Sequence, residues 1–237
     1  MINLVYQTYV TEGETPKFAK ISSKAFEDYA KLHEAEYRFN DKLTFETDLK
    51  TQPYFERYRI IYDESFDVYD NILYVDSDVY PHDMSANIFE IENTGIACMP
   101  ERDEPRKNWT PGFNKEAIND FWGHYNLEPE FFEDGQVRWY NTGVLLVTRE
   151  MRKTMREMFI TFKNIPENLI TKMNYDESWF GVNLTKTKLP VTHLDVTWNW
   201  TGQLKNGIVA EDAKFLHFSG GKLKKLMEFD YAHILRN

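Results

Sequence analysis

Asn71-Ile72-Leu73-Tyr74-Val75-Asp76-Ser77-Asp78-Val79-Tyr80-Pro81 is the stretch on which the reading of this chain turns. Ile72 to Val75 form an apolar run of strand length, which stops at two carboxylates and is closed by Pro81. Side chains at i and i+2 of an extended segment lie on one side, roughly 6–7 Å apart. Two carboxylates so held can grip one divalent cation, and oxygen ligands suit Mg²⁺ or Mn²⁺. In an open α/β sheet, ligands bind beyond the carboxyl ends of the strands. An apolar strand running into Asp76-Ser77-Asp78 therefore puts charge where a ligand belongs. The competing reading is a strand-end turn in which both Asp side chains cap backbone N–H groups.

Outward from this stretch, strand-like and helix-like segments alternate. Residues 2–8 and 36–40 read as strands. Between them, Phe18, Ile21, Ala25, Phe26, Tyr29 and Ala30 recur at helical spacing over residues 17–34. Pro53 opens a predicted helix through about Tyr62. Strands are expected near Gly95–Met99, Trp139–Val147 and Phe215–Phe218, helices near 114–125 and 149–163, and a helix or turn over 176–185. No repeat, low-complexity tract or Gly/Ser linker divides the chain. The expectation is a single α/β domain over 1–237, its sheet largely parallel in the first half.

The chain has 237 residues and a net charge of −10, with 37 aromatic side chains. That charge argues against a nucleic-acid polymer as partner, since phosphate contacts need a surplus of Lys and Arg. The aromatic and apolar content excludes disorder. Cys98, the single cysteine, forbids an internal disulfide and reads as a small buried residue. The first residues lack a basic region and a long apolar stretch, and no run approaches a membrane span, so a cytoplasmic protein is expected. Sequons at Asn108, Asn183 and Asn199 are then chance matches.

A second candidate ligand lies in Phe215-Leu216-His217-Phe218-Ser219-Gly220-Gly221-Lys222. His217 is either a satisfied core histidine or a metal ligand. The glycines after it let backbone N–H groups approach an anion, and Lys222 adds positive charge. Asp76, Asp78 and His217 on a metal, with a Gly220-Gly221-Lys222 cradle, describe a site for a metal-bound diphosphate. An acidic protein would need that metal, because its own field repels phosphate.

These motifs, in this order, resemble the GT-A fold glycosyltransferases, specifically the retaining group that includes glycogenin and the bacterial lipooligosaccharide galactosyltransferases. The compactness also resembles small enzymes of this type encoded by large algal viruses. The resemblance implies a mixed central sheet flanked by helices, a nucleotide-binding half over about 1–100 and an acceptor-side half over 101–237. It implies a sugar passed from a nucleotide sugar, a UDP-sugar by analogy, to a hydroxyl of a glycan or glycoconjugate, with Mn²⁺ or Mg²⁺ on Asp76, Asp78 and His217. Gln7 and Thr8 match the strand end beside the base, and Ser77 falls near the ribose. Arg59, 17 residues before Asp76, matches an arginine beside the donor sugar. Asn141 and Gly143 match the family's Asn-Ala-Gly-Val strand. Asp176-Glu177 matches its sugar-contacting Asp-Gln pair; without the resemblance that pair would read as the acidic opening of a helix. Two departures stand out: Lys222 falls one residue early, so Lys222 or Lys224 would meet the diphosphate, and Glu177 replaces Gln. As nucleophile, base or sugar-hydroxyl ligand, Glu177 leaves the stereochemical outcome open. Trp198-Asn199-Trp200 could pack against a sugar face or sit in the core. Residues 102–132 are either an acceptor-side flap or a surface excursion. The rival classes are a metal-dependent phosphohydrolase or nucleotidyltransferase and a non-catalytic carbohydrate-binding protein.

Overall fold

A computed structural model describes residues 1–43, 53–101, 120–161, 165, 169, 175–201 and 211–219. Six strands form the central sheet: β1 (Asn3–Thr8), β2 (Glu36–Asn40), β3 (Asn71–Val75), β5 (Ile96–Pro100), β6 (Tyr140–Thr148) and β7 (Val191–His193), in the order β2-β1-β3-β6-β5-β7. β1 runs parallel to both β2 and β3. β6 is inserted antiparallel between β3 and β5, and β7 lies parallel to β5. The sheet is therefore mixed, with a parallel first half, as expected for the GT-A type.

β3 shows why a five-residue run with so little polarity is a strand. Ile72 and Tyr74 point into one hydrophobic cluster and Leu73 and Val75 into the other, so both faces of the sheet are covered. The first face receives helices α2 (Arg59–Tyr62), α3 (Arg149–Met158) and α4 (Tyr175–Thr187); the second receives α1 (Lys17–Leu32) through Phe26, Tyr29 and Ala30. Cys98 is fully buried on the first face, where burial pushes its thiol pKa up and leaves it inert. Trp122 is also core: it stacks near Trp139 and its indole N–H donates to Thr185 Oγ1 at 3.0 Å.

Three local expectations are corrected. Pro53 opens a 3₁₀ segment over Pro53–Tyr58, and the α-helical geometry comes only with α2. α3 stops at Met158, where the Asn183 side chain takes over by accepting the Ile160 N–H at 2.5 Å. Pro81 does not simply end a strand. Val79–Pro81 is β4, which pairs antiparallel with β8 (Phe215–His217) in a separate two-stranded ribbon, with Val79 opposite His217. Pro81 is tolerated because this ribbon is short and ends there. Among the described residues no helix is long and apolar enough to cross a membrane.

Candidate active site

The β4–β8 ribbon brings the two distant motifs together. After β3, the chain turns tightly, with Val79 N–H donating to Asp76 O at 3.0 Å. His217 then lies across from Val79, and Phe218 N–H donates to Asp78 O at 2.8 Å. The result is a cluster in which Asp76, Asp78 and His217 each offer a ligand atom within 4.8 Å of the others. His217 Nε2 is 3.4 Å from Asp78 Oδ1. Two carboxylates and one imidazole at this separation fit a divalent cation of the Mg²⁺ or Mn²⁺ kind.

The cluster opens on a cavity of about 460 Å³. Its walls come from the carboxyl ends of β1, β3 and β5, the start of antiparallel β6, the Pro53–Tyr58 turn, the first turn of α4, and β8. This is the edge at which an open α/β sheet binds ligands. Thr8, Ser77 and Asn141 line it, as do Asp176 and Glu177. Gln7 does not. It is fully buried, donating through Nε2 to Ser22 Oγ and to Asp76 O, and accepting from Tyr37 OH. Its work is to tie β1, α1 and the Asp76–Asp78 turn together. Gly143 is not a wall either. A Cβ there would lie 2.5 Å from His217 Cε1, so the glycine is the space into which the imidazole packs. Gly220, Gly221 and Lys222 lie outside the described residues.

The family resemblance pointed to Arg59, and the structure puts a different arginine, Arg57, at the cavity. Arg59 pairs with Asp63 at 2.8 Å, one helical turn along α2 and away from the cavity. Arg57 is buried and reaches Asp76 Oδ1 at 3.0 Å and Asp176 Oδ2 at 3.3 Å, with Nη1 donating to Thr142 Oγ1. Arg57 lies in the 3₁₀ segment and Arg59 opens α2, and at about 100–120° per residue two positions apart they point to different sides; of the two, Arg57 lines the cavity. Burial alone would depress the Arg57 pKa, but Asp76, followed by other neighbours that include Asp176, holds it well above the ordinary arginine value. Asp176 moves up. Burial and then the charge of Asp76 favour its neutral form, and one guanidinium shared between two carboxylates does not cancel both. Tyr74 OH donates to Asp76 Oδ1 at 2.6 Å, fixing that carboxylate from behind.

Glu101 is the other residue that the sequence reading passed over. It is buried at the cavity wall, immediately after β5. β5 runs parallel to β3, so the rule that singled out Asp76 applies to it equally. The Trp pair resolves to packing. Trp198 is buried against Phe215 with Lys214 Nζ over its ring, and Trp200 packs on the Phe18–Leu216 cluster. Asn183 and Asn199 are fully buried, which removes both as glycosylation sites; Asn108 lies outside the described residues.

A mixed sheet with an Asp-x-Asp turn, a histidine and an acidic cavity at its ligand-binding edge is the arrangement that the resemblance to GT-A glycosyltransferases implied. The chain belongs to glycosyl transferase family 8, whose family model matches residues 2–224. Its fold is similar to that of a glycosyltransferase involved in glycosylation of the major capsid of PBCV-1, at 15% identity over 96% of this chain and 98% of that one, with a TM-score of 0.56. It is also similar to an active-site mutant of LgtC, at 14% identity over 92% and 88% of the two chains and a TM-score of 0.52. A third likeness is to the bifunctional glycosyltransferase WbbM, at 13% identity over 92% of this chain and 45% of that one, with a TM-score of 0.53. No curated protein matches the sequence.

Proposed function

We propose that this glycosyltransferase takes its sugar from a UDP-sugar, with Mn²⁺ or Mg²⁺ held by Asp76, Asp78 and His217. It would transfer that sugar to a hydroxyl of a glycan or glycoconjugate with retention. The observation that carries the proposal is the cavity's charge. Among its described lining residues, Asp76, Asp78, Glu101, Asp176 and Glu177 face one guanidinium, Arg57, and one imidazole, His217. A nucleotide diphosphate enters such a cavity only with a divalent cation that reverses the local sign. When bound, the cation supplies Lewis-acid stabilisation of the charge that develops on departing UDP.

The chain's own residues account for the rest. Thr8, at the end of β1, and Ser77, just beyond the end of β3, suit the nucleoside side of the donor; Asn141, which lines the same cavity, would contact the donor as well. Asp176, held by Arg57, would orient a donor-sugar hydroxyl. In retention the bond from the sugar C1 to the phosphate oxygen breaks and the bond from C1 to the acceptor oxygen forms on the same face. The acceptor proton passes to a phosphate oxygen of the leaving UDP. Glu177, at the first turn of α4, would stabilise the positive charge that appears at C1. In this reading the first hundred residues bind the nucleotide, and the remainder of a single domain shapes the acceptor side.

The test is UDP release from a panel of UDP-sugars with Mn²⁺, with EDTA, and with simple sugar acceptors. Metal-dependent release that an acceptor accelerates supports the proposal, and NMR of the product's anomeric centre reads its configuration. Hydrolysis of plain phosphate esters at a comparable rate, or turnover undiminished by EDTA, would sink it.

A further inference from the structure

His217 Nδ1 lies 2.8 Å from Asn199 Oδ1, and Asn199 Nδ2 lies 2.8 Å from Asn141 Oδ1. Asn141 Oδ1 in turn takes the backbone N–H of Gly143 at 2.9 Å. The direction of this chain is set at its far end. A backbone N–H can only donate, so the Asn141 atom facing Gly143 is its oxygen. Two amide oxygens would repel each other, so Asn199 must turn its NH₂ toward Asn141. Its oxygen is then left for His217, and the imidazole atom facing that oxygen must carry a proton. Asn199 and His217 are 0% and 3% exposed, so water does not offer alternative partners, and a second acceptor facing the ring, Asp78 Oδ1, is farther from Nε2 at 3.4 Å than Asn199 Oδ1 is from Nδ1 at 2.8 Å.

We infer that Asn199 is a positioning residue that fixes His217 in the Nδ1–H tautomer, aiming the Nε2 lone pair at Asp76 and Asp78. The inference rests on the metal-binding role proposed for His217, but the hydrogen-bond logic stands in the metal-free protein. The ordering runs from a β-strand backbone through two buried amides to the imidazole. A histidine ligand needs a bare ring nitrogen toward its metal, and that choice is set by the bond made at the other nitrogen. Gly143 contributes twice, by donating its N–H and by leaving room for the ring.

The experiment has two arms. The first is ¹⁵N NMR of the histidines in the metal-free protein, at a pH where the ring is neutral. A protonated Nδ1 and a bare Nε2 at His217 are expected; a protonated Nε2 overturns the inference. The second is Mn²⁺ titration followed by the EPR signal of free Mn²⁺. Asn199→Ala is expected to weaken binding about 10- to 100-fold. Asn183→Ala is the control. It removes an equally buried amide, bonded to Ile160 N and Trp179 O, and is expected to lower Tm with no change in Mn²⁺ affinity. Unchanged Mn²⁺ binding in Asn199→Ala overturns the positioning role, and the NMR arm decides the matter if that variant does not fold. If the unaltered protein binds no Mn²⁺ but shows the Nδ1–H tautomer, the metal reading fails and the orientation by Asn199 survives.

Discussion

Replacing Arg57 by Met removes the one guanidinium that joins Asp76 to Asp176, and the geometry sets how much this should cost. The Arg57 and Asp176 side chains are 8% and 9% exposed; Asp76 is more open at 20%. At an effective dielectric near 20, unit charges about 4 Å apart attract by about 4 kcal/mol. Part of that offsets the desolvation of the ions, and breaking a buried pair by removing one partner costs roughly 3–5 kcal/mol. Asp76 can be partly rehydrated, so most of the loss falls on Asp176, whose buried carboxylate is left without its cation. Arg59→Met is the matched control. Its Asp63 partner is one helical turn away and both side chains are 26% exposed, so about 0.3–0.5 kcal/mol is expected. Urea unfolding of the two variants at neutral pH measures the contrast. Adding Asp176→Asn to Arg57→Met should recover part of the loss, because the stranded charge is gone. If the two single variants lie within about 1 kcal/mol of each other, or the double variant is worse than additive, the buried clamp is the wrong account of Arg57.

Three further outcomes are expected. Gly143→Ala drives a Cβ into the His217 ring, so the protein should fold but lose the rise in Tm that Mn²⁺ gives the unaltered chain; a full Mn²⁺ shift would show that the ring has room to move. Arg156→Met removes the bidentate partner of Asp67, at 2.8 and 3.0 Å. The hydrogen bonds to Arg156 hold the Asp67 carboxyl below its ordinary 3.8, so their stabilisation is present above that pH and fades as pH falls through the folded value. The stability gap between variant and unaltered protein should thus be widest above pH 3.8 and narrow below it to the part that comes from the Arg156 bond to Ile61 O, and a gap constant across acid unfolding would refute the pairing. Glu177→Gln should lower kcat by about 10²-fold, with little change in donor KM, if its charge stabilises the transition state; unchanged kcat removes that role.

The fold was legible where both faces of a strand are buried. β3 and the second half of β6, Val144 to Val147, are short apolar runs whose residues alternate between two clusters, so their composition alone marks them. The insertion of β6 between β3 and β5 was not legible from local sequence, because strand order is decided by which faces the helices cover. β4 was hidden by Pro81, which reads as a terminator unless its partner is known. That partner, β8, is more than a hundred residues away, and no periodicity within either segment announces the pairing.

The clustering of Asp76, Asp78 and His217 was legible, because they are chemically distinctive residues at the ends of recognisable strands. The supporting residues were not, and the reason is geometric. Arg57 and Arg59 are equally plausible by composition, and counting residues back from Asp76 cannot register a 3₁₀ turn that rotates one inward and the other outward. In Trp198-Asn199-Trp200 the two large rings drew the functional reading, yet both are spent on packing. The 3₁₀ turn over Val196–Asn199 sends the small amide between them the other way, into the hydrogen-bond chain behind His217. Each ring secures a neighbouring hydrophobic cluster, so together they hold the Asn199 backbone still while its side chain makes two bonds of fixed direction. A buried polar residue bracketed by two core aromatics is thus held from both sides, and its polarity, at 0% exposure, has to be answered by a partner. Here the partner on one side is the histidine of the Asp76–Asp78–His217 cluster.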